Sequence, residues 1–268
     1  MGIKIHLLLV IGLTALVATA LYAVNYIGSR ENNGDHWTSI GLQHMDDGRL
    51  DLAATDLQEA RDAFIIELGD DDPETIRSTR RLLAVYEKSF QTANALPLAE
   101  SLHRQMTRIY GDESVEALRA TRDLAEIYRL IGRFDDSVRL NRWATTLVTA
   151  KFGPNVSETL AISSNLAKSY WDLGRKQEAI ELLSRTANLY RQKLGGTNDS
   201  TIESMVTLSR WYHDSGDCDS ARSVLAELEP VMVKKFGLSH SETERIRTVI
   251  SLLDAAPHTA KGCLNAYR

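Results

Sequence analysis

The side chains best suited to chemistry are scattered along this 268-residue chain. Seven histidines stand at His6, His36, His44, His103, His213, His240 and His258, and none forms a metal-ligand pair at helical spacing. Asp70, Asp71 and Asp72 resemble half of a calcium loop, but Pro73 and Glu74 follow. An acceptor, then Pro, then an acid is the chemistry of a helix start, so Asp72 is expected to cap a helix. His240 is likewise expected to cap and not to catalyse. No glycine-rich phosphate loop follows a strand, and no strand pattern is present. Asn155-Val156-Ser157 and Asn198-Asp199-Ser200 fit the glycosylation acceptor pattern. The formal net charge of -5 argues against a general nucleic-acid binder. No enzyme, metal or cofactor is expected.

The elements that carry these residues repeat. Gly69, Gly111, Gly153, Gly195 and Gly237 are each 42 residues apart, each after a large apolar residue. The same spacing relates Leu82, Leu124, Leu166 and Leu208, and also Tyr86, Tyr128, Tyr170 and Tyr212. A small residue recurs at Ala53, Ala95, Ser137, Ala179 and Ala221. A second glycine recurs at Gly48, Gly132, Gly174 and Gly216, with Phe90 interrupting the series. Within a unit, Leu124, Ala125 and Tyr128 share one face of a helix, Gly132 ends it, and Ser137, Leu140, Ala144 and Leu147 continue the period as a second helix. Each unit is therefore helix, tight turn, helix, short loop. Such a pair buries too little surface alone and must stack on its neighbours. Phe90 and Pro97 predict an altered turn in the second unit.

Residues 1–26 form a separate segment. From His6 to Val24 no residue is charged, and 19 such residues suffice to cross a bilayer as a helix. A signal anchor and a cleavable signal peptide, cut near Ala18-Thr19-Ala20, both fit. Both send the remainder across a membrane, to stay anchored on the exported (periplasmic or extracytoplasmic) side or to be secreted after cleavage. Residues 27–35 form a polar linker. Five repeats then fill residues 36–246, as 36–76, 77–118, 119–160, 161–202 and 203–246, and residues 247–268 form a capping helix and tail.

The pieces LAEIYRLIGRFDDS (124–137), LAKSYWDLGRKQEA (166–179), FGPNVSETL (152–160), LGDDDPETI (68–76) and FGLSHSET (236–243) carry a family likeness. The chain resembles tetratricopeptide-repeat proteins of the 42-residue, kinesin-light-chain-like variety. That resemblance implies an all-α solenoid, a right-handed superhelix of about five hairpins plus a cap, whose first helices line a concave groove that binds a protein or peptide. Arg119, Arg122, Glu126 and Arg129 would face that groove in the third unit, and Arg77 and Arg80 in the second. Lys168 and Trp171 would do so in the fourth, and Arg210 in the fifth. With Glu87 in the second unit and Glu203 in the fifth, these columns hold seven basic and three acidic residues over four units. An acidic partner segment then fits, held by arginine forks with Trp171 as anchor. Ordinary solvated helix faces with local ion pairs fit as well. Asn165 matches the position where an asparagine of that family touches bound peptide; Arg81, Asp123 and Thr207 do not match it.

Two cysteines, Cys218 and Cys263, fall in the C-terminal fifth. A disulfide between them would pin the cap to the fifth unit, and two unrelated thiols are the alternative. The expected function is a non-enzymatic interaction scaffold at or across a membrane. The alternative is an assembly component of a cell-envelope or secretion complex, acting through the convex face or the ends of the array.

Overall fold

The computed structural model describes residues 33–255. All the regular structure among them is helical: α1 (Asn33–Asp46), α2 (Leu50–Leu68), α3 (Pro73–Lys88), α4 (Thr92–Tyr110), α5 (Val115–Leu130), α6 (Phe134–Phe152), α7 (Ser157–Asp172), α8 (Lys176–Leu194), α9 (Asp199–Asp214), α10 (Cys218–Phe236) and α11 (Ser241–Ala255). Five hairpins are followed by one further helix. No described helix is long and apolar enough to cross a membrane. The expected anchor at residues 1–26 lies outside the described residues, as does Cys263 with its pairing.

The chain divides into two compact units at Gln105 and Met106, within α4. In the first, α1 lies close on α2. A Cβ on Gly34 would sit 2.5 Å from the Phe64 ring, and one on Gly41 would sit 2.8 Å from Leu57. His44 occupies the tyrosine column here, and its Nδ1 lies 2.5 Å from Asp56 Oδ2. Ala53, Ala54 and Leu57 of α2 pack with Leu82 and Val85 of α3.

In the second unit the buried clusters pass from hairpin to hairpin. Leu118, Ala144, Val148 and Ile162 join α5, α6 and α7. Ala167, Leu183, Leu208 and Trp211 join α7, α8 and α9. Met205, Leu225, Leu228 and Leu253 join α9, α10 and α11. Sharing of apolar surface between neighbours is what makes hairpins of this length stable. The small column is fully buried in both units: Ala53, Ala95, Ser137, Ala179 and Ala221 are each 0 % exposed. Ser137 adds a polar junction, donating to the Ala125 carbonyl at 2.7 Å and lying 2.8 Å from Ser169 Oγ.

The turn at Phe90 is not altered. In four hairpins the residue after the glycine donates its amide back five residues: Arg49 to His44, Arg133 to Tyr128, Arg175 to Tyr170 and Asp217 to Tyr212, all at 2.8 Å. Gln91 does the same to Tyr86 at 2.9 Å. Phe90 therefore takes the glycine's left-handed conformation, φ 56°, while its ring stays 73 % exposed. Pro97 sits inside α4 and removes one helical donor, that to the Ala93 carbonyl.

The helix starts follow the expected chemistry at Asp72, whose Oδ1 accepts from the Glu74 amide at 2.8 Å. Ser114 and Asn198 cap in the same column. In α7 that column holds Val156, which has no acceptor, and Ser157 lies one residue inside the helix. His240 Nδ1 accepts from the Glu242 amide at 3.3 Å, consistent with a cap.

Candidate partner-binding cleft

The first helices of the second unit, α5, α7 and α9, lie in succession, and helical period places their polar stripes side by side. A cleft of about 470 Å³ opens across them. Arg129 stands at one edge, Lys168, Trp171 and Asp172 of α7 form the middle, and Glu203, Val206, Thr207, Arg210, Trp211 and Asp214 of α9 form the far wall. Four residues expected to face partner, Arg129, Lys168, Trp171 and Arg210, therefore meet in one place.

Ion pairs cross from helix to helix. Arg119 of α5 pairs with Glu158 of α7. Arg129 of α5 holds Glu126 at 2.6 Å and reaches Asp172 of α7 at 2.5 Å. Lys168 of α7 reaches Glu203 of α9 at 2.7 Å. Each rung has its cation on the earlier helix and its carboxylate on the later. Arg122 pairs within α5 with Asp123 at 2.7 Å. In the first unit Arg77 pairs with Glu74 at 2.9 Å, and Arg80 is half-buried.

The excess of cation counted along the columns is thus largely neutralised from within, because Glu74, Asp123, Glu158 and Asp172 lie just beside the counted positions. Burial works against the charge of Glu126, but the hydrogen bonds and charge of Arg129, with help from Lys168 and Arg122, outweigh it and hold the carboxyl below its usual range. The Arg119 hydrogen bond does the same for Glu158. Burial opposes the Arg129 charge as well, and Glu126 and Asp172 reverse that to hold its proton more tightly.

Trp171 is less available as an anchor than its column suggested. Its ring stacks on that of Trp211 with centroids 4.7 Å apart and planes 3° from parallel. Lys176 Nζ lies 5.0 Å from the ring centroid. Trp211 is buried, so the pair forms a rigid apolar wall. Asn165 is half-buried, and its main-chain carbonyl accepts from Ser169 Oγ at 2.8 Å. His213 is buried and its Nδ1 lies 3.0 Å from Asp214 Oδ1.

Column reading missed Asp172, Trp211 and Asp214. The signal available was spacing: opposite charges recur at 39, 43 and 35 residues across the three rungs. No group of three His, Cys, Asp or Glu able to hold a metal is present among the described residues.

Repeated helical hairpins with an interhelical cleft define a class, the helical-repeat proteins. Residues 158–231 match the family model described as Tetratricopeptide repeat, so tetratricopeptide repeats are present in this chain. No curated protein matches it. Among solved structures, the nearly identical TPR-like repeats described as a kinesin light chain of Podosopora anserina align with a TM-score of 0.58 at 21% identity, covering 76% of this chain and 97% of that one. BtubC (BKLC) from P. vanneervenii aligns at 0.61 with 14% identity, over 82% and 85%. A Rap protein complexed with competence and sporulation factor aligns at 0.70 with 14% identity, over 90% and 64%. At these identities the likeness is one of fold.

Proposed function

We propose that the chain is a non-enzymatic scaffold that seats a segment of a partner protein across α5, α7 and α9. The observation that carries this is the cleft: three consecutive first helices converge on one concavity with a rigid indole wall and charged rims, the usual make-up of a binding site. A similarly folded Rap protein is complexed with a second molecule, which supports the reading by analogy of fold. We further propose that residues 1–26 hold this scaffold at a membrane, with the repeats on the exported side.

A second reading is assembly through the outer rim. Phe152, Leu194 and Phe236 end three successive second helices and are 38 to 41 % exposed, a row suited to packing against a larger complex.

Photo-crosslinking in native cells separates the two. A benzoylphenylalanine at Val206 should give a discrete adduct, while one at Glu181, on the exposed face of α8, gives none. Adducts from position 194 alone would replace the cleft with the rim.

A further inference from the structure

The ladder of ion pairs ends before the array does. Lys168 finds its carboxylate 35 residues later, at Glu203. Arg210 is the next cation in the same column, and 35 residues beyond it stands Arg245, not an acid. Arg245 is itself paired with Glu242 at 2.6 Å. The other charged groups around the cleft are engaged: Asp172 by Arg129, Glu203 by Lys168, and Asp214, one turn on from Arg210, by His213. Among the described residues Arg210 has no carboxylate within ion-pairing distance, although it is exposed and lines the cleft beside the stacked indoles.

We infer that Arg210 is the specificity residue of the cleft and takes a carboxylate of the bound segment, supplied by an acidic side chain. This rests on the cleft being the partner seat. A guanidinium holds a carboxylate through two parallel hydrogen bonds, and the nearby apolar wall keeps water from competing on one side. The paired cations Arg119, Arg129 and Lys168 cannot serve equally, since each would have to give up an internal carboxylate first. Specificity therefore sits at the last free rung and is not spread along the arginine columns.

The probes are nine-residue peptides alternating Glu with Leu, acetylated and amidated, against the same peptide with Gln for Glu, titrated into the full chain and followed by tryptophan fluorescence. The Glu peptide should bind about three- to tenfold more tightly than the Gln peptide. Arg210→Gln should erase that preference with helicity unchanged, Arg210→Lys should keep part of it, and Arg142→Gln, on exposed surface of α6, should keep all of it. A Gln peptide left with a free C-terminus tests the other source of carboxylate; tighter binding of that peptide than of the amidated Glu peptide would overturn the side-chain assignment. Equal affinity for the Glu and Gln peptides, a preference that survives Arg210→Gln, or no binding of any peptide would each overturn the proposal. Adducts at position 206 in cells would still uphold the cleft itself as the seat.

Discussion

Phe90 concentrates two costs in one side chain. A bulky residue held at φ 56° is disfavoured by roughly 1–2 kcal/mol against glycine, and a ring that stays 73 % exposed recovers little of this by burial. Glycine at that position also gives the unfolded chain more freedom, which offsets part of the gain. Phe90→Gly is therefore expected to raise stability by about 0.5–1 kcal/mol, read as a higher urea midpoint with an unchanged slope. The sequence showed that Phe90 breaks a glycine series, and from its size alone a different turn was the natural expectation. What it did not reveal is that the Tyr86–Gln91 hydrogen bond and the packing of α3 on its neighbours hold the turn while the ring points into water.

At the level of helices, two features set how neighbours meet. The small column admits no larger side chain: Ala179 is fully buried between α8 and its neighbours, so Ala179→Leu should destabilise by about 1–3 kcal/mol by urea unfolding. The rungs contribute charge pairing. The folded Glu126 carboxyl lies below its ordinary value of 4.5, so its contribution is fully present above that pH and is lost as pH falls through the lower folded value. Glu126→Gln should therefore lower stability at pH 7 by about 1–3 kcal/mol, and the gap from wild type should shrink in melts taken below pH 4. Helix pairs, turns and the buried face were legible because apolar period and glycine spacing are local signals. The rungs were not, because they join residues 35 to 43 apart that no single helix wheel displays. Threonines in the first turns of α3, α7 and α9 escaped notice as well: Thr75, Thr159 and Thr201 each donate to the carbonyl of the glycine six residues earlier, at 2.8 to 2.9 Å.

For the whole molecule, the proposed N-terminal anchor and a bond to the second cysteine are the features through which the export proposal can be tested. Cys218 opens α10 and is 8 % exposed. A bond from it to Cys263 would close a loop of 46 residues and stabilise by about 4 kcal/mol on the chain-entropy model. Intact mass of protein purified without reductant should show neither thiol alkylated until reductant is added, and its N-terminus reports whether the signal is cut. Two thiols alkylated at once would argue against export. An apolar run and a cysteine count motivate the proposal of export, whereas partner identity has no such local signal, because repeats of one fold serve many partners.

The direction of the ladder has a consequence for growth of the array. Inserting a second copy of residues 199–240 after position 240 would bring the duplicate of Glu203 opposite the original Arg210 and leave the duplicate arginine facing Arg245. Lengthening by one hairpin would thus quench the old recognition point and create another one step outward. On the proposed role of Arg210, the docking point of a partner would then move with the number of hairpins in the array.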